Sequence, residues 1–269
     1  MKYRACMFAL LLGLSPLARA ADKAVLSAPF LPLPPGLVVL NSAEGRALMS
    51  ESLAASFWSL IKYYSTQPDL GSCSVASCTM VLNALPISRP VAPKYGEFKL
   101  FTPENFFTPA VSAIKSREAV SASGMSLAEL AEALETYPVE ITRVYAQPGS
   151  GQVFRDSVRA ALKGSNQFVL VNYLRRALGQ QTGGHISPLG AYHEGRDMVL
   201  ILDVSNYKYP WVWVRLDELY HAMELVDPDS DVGRGYLLVS AKKQGVDSNH
   251  SPGSEPTPVQ GAEGNRGSR

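Results

Sequence analysis

The chain has 269 residues, 46% of them apolar and 18% charged, with 21 Gly, 19 Pro and 3 Cys. That composition excludes a disordered or collagen-like chain, and so few cysteines exclude a disulfide-stapled miniprotein. A formal charge of +1 supplies no general attraction to nucleic acid or an anionic membrane, so neither is expected as a partner.

Residues 1–20 have the three-part plan of a secretory signal peptide: basic Lys2 and Arg4, an apolar run from Ala5 to Leu14, and Ala18-Arg19-Ala20 as the cleavage site. The run is too short to span a bilayer, and Cys6 precedes it, the wrong place for a lipid-attachment cysteine. Cleavage removes Lys2, Arg4 and Arg19 and takes the balance from 25 basic and 24 acidic residues to 22 and 24. No later segment is long and apolar enough to cross a membrane. The mature chain is therefore expected to be exported without stable membrane insertion, and periplasmic in a Gram-negative source. Residues 244–269 are Ser, Pro, Gly and charge with only small apolar side chains, too little to offset ordering entropy, and read as a disordered tail. One globular domain is expected over residues 24–243.

Within that domain the prolines of Leu31–Leu37 predict an extended entry. A helical stripe of Leu48, Leu53, Phe57, Leu60 and Ile61 predicts one helix from Ser42 to Tyr64. A second helix should run from Cys73 to about Leu85, stopped by Pro86 and Pro90. Ser126 and Glu129 form a capping box opening a short helix to about Thr136, and Phe154–Lys163 is amphipathic with Gly164 at its end. The pattern then changes to short β-branched runs, Phe168–Leu174, Met198–Val204, Trp211–Leu216 and Gly235–Ser240, with a short helix over Asp217–Leu225. Helices first and strands later predict an α+β fold.

Cys73, His185 and Asp203 carry the candidate chemistry. Cys73 falls at a helix start, where free N–H groups and the helix dipole favour a thiolate. Gln67, six residues upstream in the incoming loop, could bring an amide to the same place and complete an oxyanion hole with the Cys73 N–H. If helical, Cys73 and Cys78 are roughly 7.5 Å apart along the axis, beyond disulfide reach, and Cys78 reads as core. Gly184–Val204 reads as strand, turn, strand, with residues 193–197 as the polar turn. His185 and Asp203 then face each other to within a residue or two, close enough for their side chains to meet. Asp203 interrupts an apolar run, and a carboxylate there needs a donor partner. A His–Asp pair could simply fasten a hairpin; with a helix-N-terminal Cys it is the arrangement of a cysteine acyltransferase or peptidase. His193, His221 and His250 read as solvated. No histidine or cysteine set has metal-ligand spacing, and no Gly-rich phosphate loop is present.

The block from Gln67 through Cys73-Ser74, Ala76-Ser77 and Met80–Leu85 resembles the active-site helix of phytochelatin synthases. Asn172-Tyr173-Leu174, Gly183–Pro188, Leu202-Asp203-Val204 and Tyr207–Pro210 resemble further signatures of that family, and the likeness runs from about residue 30 to 240. It implies a prokaryotic, single-domain, papain-like form with a helical N-terminal lobe carrying the nucleophile and an antiparallel sheet carrying His and Asp. Cys73 would be nucleophile, His185 general base and acid, Asp203 its orienter and Gln67 the oxyanion donor. Asn172, Asp227, Arg234 and Tyr236 would line a γ-glutamylcysteine pocket, with Arg234 clamping a carboxylate. Ser72 and Ser74 stand where the family commonly has an aromatic residue and Gly.

The resemblance also implies glutathione as substrate, glycine as leaving group and γ-glutamylcysteine or phytochelatin as product. No cofactor is required; cadmium or zinc would act as thiolate-bound substrate or activator, and a homodimer is implied. Two other readings remain at this point: a papain-like envelope amidase acting on γ-glutamyl cell-wall peptides, and a non-enzymatic thiol and metal buffer.

Overall fold

The computed structural model describes residues 30–181, 183–227 and 232–243, with nothing of the side chains of Asp227 and Val232. The expected export signal, the 244–269 tail and His250 lie outside the described residues. In chain order the elements are β1 (Val38–Val39), α1 (Ala43–Ser50), α2 (Ala55–Ile61), α3 (Cys73–Ala84), α4 (Pro109–Ile114), α5 (Arg117–Ser123), α6 (Leu127–Glu135) and β2 (Val139–Tyr145). There follow α7 (Gly151–Lys163), β3 (Gln167–Leu174), β4 (Gly184–His193), β5 (Met198–Ile201), β6 (Val212–Arg215), α8 (Leu216–Glu224), β7 (Val226–Asp227), β8 (Val232–Gly233) and β9 (Gly235–Ala241).

Seven strands form one sheet in the order β1-β6-β5-β4-β3-β9-β2, and every neighbouring pair is antiparallel. Side chains alternate between faces along a strand, and the core divides accordingly. Phe168 and Leu170 of β3, Leu200 of β5 and Leu237 of β9 join one apolar cluster with α3 and α6. Val169, Val171 and Tyr173, Val199 and Tyr236 join a second with α7 and α8. Burial on both faces explains why these strands read as unbroken apolar runs. The helical layer over the first face carries Cys73 and the sheet carries His185, as the α+β, papain-like expectation requires.

Local signals held where side chains cap the backbone. Ser126 and Glu129 form the reciprocal capping box of α6, and α3 has the expected bounds to within a residue. The helix expected over Ser42–Tyr64 is two. Glu51 closes α1 by donating to Leu48 O and Met49 O, and Leu53 pairs with Tyr192 through two 2.9 Å main-chain hydrogen bonds. A main-chain partner on the sheet outweighs the helical period there. Gly164 ends α7 from an extended conformation (φ −114°, ψ 177°). The strand expected over Met198–Val204 keeps regular pairing only to Ile201, which puts Asp203 in the loop just beyond it. His193, expected in a solvated turn, is instead the buried last residue of β4, paired with Met198 and 3.3 Å from Glu51. His221 is exposed as expected.

Candidate active site

Helix α3, which Cys73 opens, is buried nearly all round: every residue from Cys73 to Asn83 is buried. Small side chains at 74, 76 and 77 let it lie against β4, where Ser77 Oγ donates to Ile186 O at 3.0 Å. Its N-terminus has no side-chain cap: Ser72 has φ −90° and ψ 25° rather than the extended backbone of a capping residue, and its hydroxyl donates to Asp69 Oδ1 (2.8 Å). Asp69 Oδ1 also accepts the Gly71 N–H at 3.0 Å, which shapes the incoming turn. A Cβ at Gly71 would come within 2.3 Å of Val120 O, so only glycine lets this turn pack on α5. The dipole of an uncapped first turn is left to favour negative charge at Cys73.

Several contacts join the incoming loop to the loop after β5, the Ser205 hydroxyl to Gln67 Oε1 among them. Tyr64 Oη donates to Asp203 O (2.9 Å), Thr66 Oγ1 to Asn206 Oδ1 (2.9 Å), and the Gln67 N–H to Val204 O (2.9 Å). His185 Nε2 lies 3.0 Å from Asp203 Oδ1 and 2.9 Å from Ser187 Oγ. Nδ1 is the ring nitrogen left for the Cys73 side, and both side chains line the same cleft. The hairpin register puts Leu189 opposite Ile201, so Asp203 stands across from Ser187, two positions from His185, within the expected offset. Cys73, His185 and Asp203 are thus brought together.

Arg175, singled out by nothing in the sequence reading, completes the group. It follows β3 directly and is 1% exposed. Its guanidinium grips Asp203 in a fork, Nη1 to Oδ2 at 2.7 Å and Nη2 to Oδ1 at 2.8 Å. The Ser205 N–H adds a further 2.8 Å hydrogen bond to Oδ1. A signal existed: the argument that a carboxylate in an apolar run needs a partner admits a cation as readily as an imidazole, and Arg175-Arg176 ends the neighbouring strand.

The electrostatics favour an ion pair. Burial works against the Asp203 carboxylate, but His185 and Arg175 hold it well below the usual range. Burial and Arg175 push His185 down, yet the Asp203 charge and hydrogen bond, with the bond to Cys73, leave it above the ordinary histidine value. Burial pushes the Cys73 thiol up; the hydrogen bond and charge of His185, the Ile186 N–H and Arg175 outweigh it and bring it below an ordinary thiol. Both shifts run in the direction of a thiolate–imidazolium pair. Cys78 is also free and buried, but burial and the neighbouring Cys73 charge drive its thiol well up. We expect iodoacetamide to label Cys73 and spare Cys78, at pH values where a free thiol is mostly protonated. His185→Ala should move the onset of labelling upward. Labelling that follows an ordinary thiol titration in wild type would contradict the ion pair.

The thiol opens into a cleft of about 330 Å³. Leu70, Gly71 and the 121–125 segment form one wall, and Asn172, Arg234 and the 183–186 segment the other. Arg234 Nη1 donates to Asn172 Oδ1 at 2.8 Å, and a Cβ at Gly184 would come within 2.3 Å of that guanidinium. Both expected pocket residues are therefore present at the cleft. Tyr236 is not: it pairs with Val171 rather than with the Asn172 face. Its ring packs on Phe154 (4.8 Å between centroids) and its hydroxyl lies 3.2 Å from Ser157 Oγ, in the second core cluster. The side chain of Asp227 lies outside the described part. Gln67 is buried, with Nε2 donating to Asp69 O at 2.5 Å and Oε1 accepting from the Ser205 hydroxyl. A primary amide carries two N–H donors, so one remains after the bond to Asp69. Among the described residues no group of three or more His, Cys, Asp or Glu side chains is arranged to hold a metal ion, and no helix is long and apolar enough to cross a membrane.

Ser74 is fully buried and its hydroxyl has no hydrogen-bond partner among the described residues. Ser74→Ala removes an unsatisfied polar group and improves helix propensity, so it is expected to stabilise by about 1 kcal/mol. Thermal unfolding should show a midpoint raised by roughly 2–4 °C; a lowered midpoint would contradict this.

A thiol and a carboxylate-bonded imidazole beside one cleft, on an α+β frame, are the groups that a cysteine nucleophile requires. The family model for phytochelatin synthase matches residues 29–236, and the chain belongs to that family. Among curated proteins it is 33% identical over 218 residues to glutathione gamma-glutamylcysteinyltransferase 3 of Lotus japonicus, covering 80% of this chain and 44% of the relative. It is 31% identical to glutathione gamma-glutamylcysteinyltransferase 1 of Arabidopsis thaliana, covering 78% and 43%. It is 26% identical to glutathione gamma-glutamylcysteinyltransferase of Schizosaccharomyces pombe, covering 77% and 50%. The chain thus spans about half the length of these relatives or less.

Proposed function

We propose that this protein is a cysteine acyltransferase and peptidase acting on glutathione. The observation that carries the reading is the bonded series His185–Asp203–Arg175 with Cys73 beside His185 in a cleft that Arg234 and Asn172 also line. The Cys73 thiolate attacks the carbonyl carbon of the cysteinyl–glycine bond, and the carbonyl electron pair moves to oxygen. The Cys73 N–H and the free N–H of Gln67 stabilise that oxyanion. His185 gives its proton to the departing glycine nitrogen, the C–N bond breaks, and a γ-glutamylcysteinyl thioester forms. Neutral His185 next takes a proton from the attacking water, releasing γ-glutamylcysteine, or from the amine of a second glutathione, giving a phytochelatin. Arg234 is a fork-shaped donor suited to a substrate carboxylate.

No resident metal is required by these steps; cadmium or zinc would enter bound to substrate thiolates. The three-part pattern of residues 1–20 supports export, with the enzyme meeting exported glutathione or a related γ-glutamyl thiol. The test is glycine release from glutathione by the purified mature protein, with products followed in the presence and absence of cadmium. Glycine and γ-glutamylcysteine are the expected products. No glycine release, with cleavage of γ-glutamyl muropeptides instead, would overturn the substrate assignment.

A further inference from the structure

We propose that Ser205 is a positioning residue that holds the Gln67 amide with its donor end ready for the oxyanion, and joins that amide to the triad carboxylate. The proposal rests on the acyl-transfer reading above and on the oxyanion role of Gln67. A primary amide has one accepting and one donating end, and flipping it would present a carbonyl oxygen to a developing negative charge. Two partners decide which way Gln67 faces. Asp69 O can only accept, and Nε2 donates to it at 2.5 Å. The Ser205 hydroxyl donates to Oε1 at the other end. A flipped amide would set Oε1 against the Asp69 carbonyl, acceptor against acceptor. Without the Ser205 hydroxyl, Oε1 loses its donor in a site where Gln67 and Ser205 are 4% and 2% exposed.

Ser205 is itself fixed by main-chain bonds. Its N–H donates to Asp203 Oδ1 at 2.8 Å, and its carbonyl accepts from the N–H groups of Lys208 (2.8 Å) and Tyr209 (3.3 Å). One residue therefore holds the carboxylate through its backbone and the amide through its side chain. Replacing the side chain should disturb the amide and leave the carboxylate bond in place.

The experiment is a double-mutant cycle read by glycine release. Gln67→Ala is expected to lower kcat about 10²-fold, the usual effect of removing one oxyanion donor. Ser205→Ala should lower kcat about tenfold, leave KM within about twofold, and leave both limbs of the pH profile where they are. Ser205→Thr, which restores the hydroxyl, should recover most of the loss. In the Gln67→Ala background, Ser205→Ala should add nothing. Independent, multiplying losses in the double variant would overturn the proposal, as would a silent Ser205→Ala or an unrestored Ser205→Thr. Gln67→Ala with full kcat would instead overturn the oxyanion role and this proposal with it. A wild type that releases no glycine would overturn the reading on which both rest.

Discussion

Arg175→Met is expected to cost about 3 kcal/mol of stability, because removing one partner of a buried ion pair leaves the Asp203 charge balanced only by His185 and the Ser205 N–H. Asp203 is 1% exposed and receives two guanidinium bonds of 2.7 and 2.8 Å, and no solvent can replace them. The depressed carboxyl of Asp203 means its stabilising contribution is present above the unfolded aspartate value and is lost as pH falls through the folded one. Without Arg175 that loss should begin at higher pH. Activity should fall at least about 10²-fold in the variant fraction that remains folded, since Asp203 no longer fixes the imidazole and small misplacements are costly. Denaturant unfolding at several pH values, with glycine release at low temperature, checks both effects. A variant as stable as wild type, with an unmoved acid limb of unfolding, would show that Arg175 is not the partner that Asp203 depends on.

Cys73→Ala and His185→Ala are each expected to lower kcat by about 10⁴-fold, and the double variant should be no worse than either, because the two groups act as one unit. Cys78→Ala, on the same helix but in the core, should keep glycine release. The pH dependence of kcat/KM should be bell-shaped. In the proposed mechanism the acid limb belongs to Cys73, whose thiol is shifted down, and the alkaline limb to His185, whose imidazole is shifted up. Asp203→Asn removes the charge that raises His185, so the alkaline limb should move to lower pH. An alkaline limb that stays put would separate Asp203 from the imidazole's titration.

Much of the site was legible because its residues break local patterns. Asp203 interrupts an apolar run, Cys73 opens a helix of small residues, and the index sum of a hairpin places His185 near Asp203. Such signals are short-range, and the structure keeps them. Arg175 was hidden because an arginine pair after a strand looks like an ordinary turn until its carboxylate partner is found across the sheet. Tyr236 shows the opposite failure: position by position it matched a pocket residue, yet strand alternation turns it to the far face beside Phe154. The break between α1 and α2 and the burial of His193 both come from β4, whose main chain and final side chain take up residues 51–53. The edge strand β2 escaped notice for a similar reason, since only its first residue is fully buried and its partner β9 lies about a hundred residues on.

The most direct measurement is acid quench of the enzyme with glutathione during turnover, followed by peptide mapping of the trapped acyl group. A γ-glutamylcysteinyl thioester on the peptide bearing Cys73, formed with release of glycine and absent from Cys73→Ala, is the expected result. Glycine released at the wild-type rate by Cys73→Ala, or an acyl group trapped on Cys78 instead, would contradict the mechanism.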